Sequence, residues 1–380
     1  MKLPWLLSLT ILLAAASRPP DIAFRIRLLD PGAGETVAVA DLNNDGRPDI
    51  VSGESWYESP GMVKHHLRDI NFTSNYVDNF SDLPLDVDGD GFIDIVQFSY
   101  FAHNIVWLKN PGKKGGPWVQ SEIDNSGPVE FAFLVDLNND GKAQELLPEF
   151  DRANVPLAWF ELLGGKFVKH VVSQQSYGHG IGVGDVNKDG RNDILTPKGW
   201  LEAPADPRAP GDWVFHPTDW AKGTAKFGFM YVIDINGDGR NDVLTTMAHD
   251  YGICWFEQGA DGKWTQHIID NTWSQSHASA LVDLNGDGQL DLVTGKRYMA
   301  HNGNDPGERE PLGVYWYEYR KDSKGAIEWI RHIVDYGGRM GGGMQIVVQD
   351  VDGDGDLDIV AAGKSGLFAA ENLTKKPGPK

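Results

Sequence analysis

The chain has 380 residues, a formal charge of -20 from 54 acidic against 34 basic side chains, and one cysteine, Cys254. A single cysteine excludes an internal disulfide, so the core or bound metal must hold the fold. After the first residues no stretch approaches the roughly 18 consecutive apolar residues of a membrane helix. No phosphate loop, nucleotide motif or basic patch suggests a nucleic-acid partner.

Residues 1–17 read as a secretory signal peptide. Lys2 precedes the apolar run from Leu3 to Leu13, which ends in Ala14-Ala15-Ala16-Ser17. The mature chain is expected to be secreted, extracellular or periplasmic, without membrane insertion. Phe24 to Leu29 then reads as a strand standing alone before the first acidic loop.

From Asp41 onward the pattern D-x-[DN]-x-D-G-x-x-D recurs. The loops are Asp41, Asn43, Asp45 and Asp49; Asp86, Asp88, Asp90 and Asp94; Asp185, Asn187, Asp189 and Asp193; Asp234, Asn236, Asp238 and Asp242; Asp283, Asn285, Asp287 and Asp291; and Asp350, Asp352, Asp354 and Asp358. A degraded copy has Asp136, Asn138 and Asp140 but Gln144 where an acid is expected. The intervals are 45, 50, 49, 49, 49 and 67 residues. Hard oxygen ligands in a tight turn suit Ca2+, and the ninth-position acid followed by apolar residues joins strands, unlike an EF-hand. Six or seven Ca2+ sites are expected. The loops account for much of the acidity, which therefore says little about partners.

Each loop precedes a short apolar strand such as Asp94-Ile95-Val96. A third strand carries Trp-aromatic/Leu-Glu, as in Trp56-Tyr57-Glu58 and Trp255-Phe256-Glu257. A fourth reads aromatic-x-x-His, as from Trp264 to Ile269. Four strands per unit of about fifty residues is the size of a propeller blade. The last unit lacks a fourth strand and Phe24 to Leu29 is spare. The expected fold is therefore an all-β, seven-bladed β-propeller over residues 18–374, its ring closed by the N-terminal strand, with residues 375–380 as a disordered tail.

These loops resemble those of FG-GAP, or VCBS, repeat propellers, a family that includes the ligand-binding head of integrin α chains. His179-Gly180-Ile181-Gly182, the stretch His277 to Tyr298 and the insert His301 to Gly307 also resemble the propeller portion of aldos-2-ulose dehydratases. That resemblance implies a C-O lyase acting on a sugar.

In antiparallel four-strand blades the acidic loops are first turns, so second turns and inter-blade links share the opposite face. His103, His179, His249, His277 and His301 all fall there. So does the insert from Lys296 to Pro311, which stretches the last interval and brings Lys296, Arg297 and Tyr298. His179, His249, His277, Lys296, Arg297, Tyr298 and His301 are the candidate catalytic residues, suited to proton transfer or to a transition metal such as Zn2+. Trp220 and Trp273 lie outside the repeat. With His103 and the Tyr177-Gly178 turn they are the candidate sugar-binding residues, expected to be exposed and to stack on carbohydrate. The fourth-strand histidines are expected to be structural. The competing reading is a non-catalytic extracellular binding or adhesion module, since fold alone does not choose.

Overall fold

The computed structural model describes residues 21–32, 34–220 and 226–375; the expected leader and most of the tail lie outside them. The fold is all-β, with the sheets arranged as in a propeller. The strands following the acidic loops, such as Asp49–Ser52, Asp94–Phe98 and Asp358–Gly363, are buried along their whole length. Covered on both faces by neighbouring sheets, they read as continuous apolar runs. Fourth strands such as Val63–His66 are mostly exposed.

The expectation of seven separate blades is corrected. Five four-stranded sheets stand as discrete blades: those starting at Ala38, Ser81, Val129 and Ser276, and the last, Ile346–Gln349, Asp358–Gly363 and Gly366–Asn372 with Phe24–Asp30. Between Ile181 and Ser274 the chain forms one eight-stranded sheet. In it two antiparallel meanders are fused through the parallel pairing of Ile181–Gly184 with Phe227–Ile233. Glycine makes the fusion possible. A Cβ on Gly182 would lie 1.9 Å from the Met230 carbonyl oxygen, and one on Gly184 would lie 2.5 Å from Val232 Cβ. Without those atoms the two backbones approach closely enough to share hydrogen bonds.

The core lies between sheets. Leu83, Val96 and Phe98 pack with Val129, Leu146 and Phe160, and comparable clusters join each successive pair. One joins the last sheet to the first: Val360, Ala362 and Leu367 with Val37, Ile50 and Tyr57. Phe24–Asp30 pairs antiparallel with Gly366–Asn372, Phe24 opposite Asn372, and Arg25 and Arg27 both reach Glu371. The first strands of the sheets lie against one another around a common axis.

Candidate metal centre at the axis

Four side chains from four parts of the chain meet near this axis. Glu130 comes from the first strand Val129–Val135 and His277 from the first strand Ser276–Val282. His179 stands just ahead of Ile181–Gly184, and His249 is in the second turn after Asp242–Met247. All four are buried, and each offers a ligand atom within 4.8 Å of the others. His179 Nε2 lies 3.7 Å from Glu130 Oε1 and 2.9 Å from His249 Nε2.

The surrounding hydrogen bonds decide which nitrogens carry protons. His179 Nδ1 lies 2.8 Å from the Phe227 carbonyl oxygen, which only accepts. His249 Nδ1 lies 2.7 Å from Asp305 Oδ2, and a carboxylate also accepts. Both Nδ1 positions therefore donate, which leaves a lone pair on Nε2 wherever the ring is neutral. The two lone pairs face each other across 2.9 Å. Nε2 of the fully buried His277 has no hydrogen-bond partner. Burial holds His249 and His277 well below the usual imidazole range, aided by neighbouring positive groups. At Glu130 burial works upward, but the neighbouring His179 imidazole and the Arg297 guanidinium outweigh it and keep the carboxyl low. Three imidazole lone pairs and one carboxylate thus converge with nothing between them, the donor set of a borderline divalent metal.

The insert closes the site. Asp305 Oδ2 also accepts from His301 Nδ1 at 2.9 Å, and the His301 ring stacks on His249 at 4.3 Å. His301 is 41% exposed, so a continuous path runs from the buried cluster through Asp305 to solvent. Lys296 does not reach the cluster. Its ammonium donates to Ser274 Oγ at 2.9 Å and to the Gly307 carbonyl at 2.7 Å, bracing the insert. Arg297 is a fixed counter-charge, its Nε on Glu35 Oε2 at 3.1 Å and Nη1 on Glu130 Oε1 at 3.5 Å. Tyr298 is exposed and outside the cluster. The strand neighbour of Phe131, Glu149, is buried with neither oxygen partnered, and burial pushes its carboxyl well up.

The expected sugar-stacking surface is overturned. Trp220 is 2% and Trp273 7% exposed. Trp220 packs edge-on against Trp264 at 4.9 Å, and Trp273 Nε1 donates to the Tyr317 hydroxyl at 2.8 Å. Tyr177 is buried against Phe215, with its hydroxyl 3.1 Å from Ser173 Oγ. His103 stays on an exposed turn away from the other imidazoles. Sequence reasoning placed Asp305 over the channel with the rest of the insert, but missed Glu130 and the unpartnered Glu149. Neither had a signal, because each is one acid in an ordinary strand.

On the opposite face the acidic loops keep one geometry. In the first, Asp41 accepts from the Asp45 and Gly46 N-H groups, and Asn43 and Asp45 accept from the backbone two residues on. The ninth-position Asp49 is a clamp, accepting from Leu42 N at 3.0 Å and Ser59 N at 2.9 Å. The third loop is corrected on one point. Glu145, next to Gln144, takes the clamp position, accepting from Leu137 N at 3.1 Å and Asn138 Nδ2 at 3.0 Å. One extra loop residue is matched by one extra methylene. The carboxylates of Asp86, Asp88 and Asp90, and those of Asp350, Asp352 and Asp358, lie within 4.8 Å of one another. Asp291 Oδ1 and Asp354 Oδ2 are buried without partners. Such all-oxygen sets with unmet lone pairs fit Ca2+.

Comparison with known proteins finds FG-GAP repeats. A model of the FG-GAP-like repeat matches residues 234–294, and one of the FG-GAP repeat matches residues 33–64. No curated protein matches the chain. Among solved structures it is similar to BBS1N in complex with ARL6DN, at 10% identity over 92% of this chain and 96% of that one, with a TM-score of 0.55. It also matches an Agrocybe aegerita lectin described as recognising non-reducing terminal N-acetylglucosamine, at 17% identity over 82% and 80% with a TM-score of 0.48. A third match is the rhamnogalacturonan lyase YesW, at 11% identity over 93% and 74% with a TM-score of 0.46. These likenesses concern fold.

Proposed function

We propose that the protein is an exported, calcium-stabilised propeller, its ring closed by Phe24–Asp30, that carries out C-O lyase (dehydratase) chemistry on a sugar at a transition-metal centre. Glu130, His179, His249 and His277 would hold the ion. The observation that carries the reading is the pair of Nε2 lone pairs facing each other at 2.9 Å, with the unpartnered His277 Nε2 beside them. With both rings neutral the two lone pairs repel, and a metal ion or a shared proton among the nitrogens relieves that repulsion.

A divalent ion bound there would act as a Lewis acid toward a carbonyl or hydroxyl oxygen of the substrate. The chain's own residues supply the rest. Asp305 fixes the tautomers of both His249 and His301, so His301 Nε2 at the exposed edge is free to take a proton. In an elimination it removes the proton on the carbon next to a carbonyl. The C-H pair becomes the new C=C bond, the neighbouring C-O bond breaks, and the departing hydroxyl takes that proton from His301 and leaves as water. Arg297, itself held by Glu35, holds Glu130 in place.

The test is turnover of aldos-2-uloses and uronates, followed by the absorbance of the unsaturated product. The wild type should react, and His301→Ala should lose at least about a hundredfold in kcat, the scale of one general base. A chain that binds these sugars but forms no unsaturated product would instead be the binding module.

A further inference from the structure

Besides the centre, the same face carries a cleft of about 570 Å3 between the first blade, the segments leading into and out of it, and the start of the last strand, Gly366–Asn372. Its lining includes Ser52, Gly53 and Leu367, the ion pair of Asp30 and Lys64, and Glu54, Asn71 and Phe72. Its size is that of a small-molecule site, with room for about two or three pyranose rings.

Its chemistry is specific. Phe72 is 65% exposed, although it stands in a short hairpin of Phe72–Thr73 and Tyr76–Val77 whose second strand is buried. A large ring held open beside a cleft is a platform for the C-H face of a sugar. The polar groups offer donors and acceptors in balance. Lys64 Nζ gives one proton to Asp30 Oδ2 at 2.7 Å and keeps two. The exposed Glu54 accepts the Ile70 N-H at 3.0 Å and has further acceptor capacity, while Asn71 and His66 can serve hydroxyls. Asp30 already accepts from Lys64, the Tyr57 hydroxyl and Gly32 N. With two carboxylates and one ammonium, the lining disfavours phosphate or uronate and suits neutral hydroxyls.

The hairpin also ties the cleft to the centre. The Tyr76 hydroxyl donates to the Ala300 carbonyl, and Asn302 meets Ser74 and Asn75 across 3.4 Å. The element that presents Phe72 therefore holds the insert that carries His301.

We propose that this cleft is a subsite for an uncharged oligosaccharide, with Phe72 as stacking platform and Glu54, Asn71 and Lys64 as hydroxyl partners. The ligand class rests on the sugar reading above; the site does not need the metal. The experiment measures cellotriose and chitotriose binding by calorimetry and saturation-transfer NMR, with trigalacturonate as the charged control. It uses the full-length wild type, His277→Ala, Phe72→Ala and Phe72→Tyr. At least one neutral trisaccharide should bind wild type and His277→Ala alike. Phe72→Ala should weaken it by about two- to twelvefold, the stacking range, and Phe72→Tyr should retain it. Unchanged binding by Phe72→Ala, preference for trigalacturonate, or failure of both neutral sugars overturns the subsite. Binding lost in His277→Ala also overturns it, since the sugar would then sit at the centre. Turnover without cleft binding leaves the centre standing and the subsite rejected.

Discussion

A triad of Trp, Glu and His recurs in five of the four-strand repeats. The fourth-strand histidine lies flat on the third-strand tryptophan: Trp56 on His65, Trp159 on His170, Trp200 on His216, Trp255 on His267 and Trp316 on His332, with centroids 3.9 to 4.3 Å apart. The histidine Nε2 turns to the glutamate two residues after that tryptophan, as at His267 and Glu257, 2.8 Å apart. One stacked contact and one partly exposed polar contact are worth about 1 kcal/mol together. His267→Ala should lower stability by about that amount in urea titration, with metal binding intact. An unchanged midpoint would show the triad to be ornamental. These histidines were legible because they keep one strand position from blade to blade. Trp220 and Trp273 were misread by the converse logic. Falling outside the repeat does not place a side chain at the surface, and both fill the gaps that inter-blade links leave in the core.

At the scale of elements, the four-strand pattern, the acidic first turns and the spare first strand could be read directly, because each depends on local spacing. The fused sheet could not, since it depends on how closely two strands distant in sequence can approach. Its signal was nonetheless present in the alternating glycines Gly180, Gly182 and Gly184. Gly182→Ala forces a methyl against the Met230 carbonyl, so the inner strands must separate. The expected cost is about 1 to 3 kcal/mol, the range for overpacking, read as a lower melting temperature with the unfolding transition still cooperative. A variant as stable as the wild type would mean that the parallel pairing contributes nothing. The insert from 296 to 311 was found by its length, whereas its bracing by Lys296 required the fold.

For the whole molecule, the two faces divide the labour. One gathers carboxylate loops whose mutual repulsion must be neutralised, in part by Lys109 on Asp88 and Asp90, Arg191 on Asp189 and Arg240 on Asp238. Calcium would complete that neutralisation. Each filled site adds about 1.4 kcal/mol when free calcium is about ten times its dissociation constant. Adding EGTA to His277→Ala, chosen so that the imidazole centre plays no part, should lower the melting temperature, and calcium should restore it. A melting temperature indifferent to both would remove the structural role of the loops. The other face gathers imidazoles, which the sequence brought to one side by strand counting alone. That His179, His249, His277 and His301 come together, while His103 does not, follows from side-chain direction around the axis, which spacing does not encode.

The central claim is that three imidazoles and Glu130 hold one transition-metal ion, and it is tested most directly by metal content. The protein should be purified without chelator, dialysed against calcium buffer, and measured by plasma mass spectrometry beside His277→Ala and His65→Ala. The account predicts about one zinc-class ion per chain in the wild type and in His65→Ala, which lies far from the centre, and its loss in His277→Ala, with all three proteins folded. A folded wild type that binds no such ion even when zinc is supplied, or a His277→Ala variant that keeps it, contradicts the account.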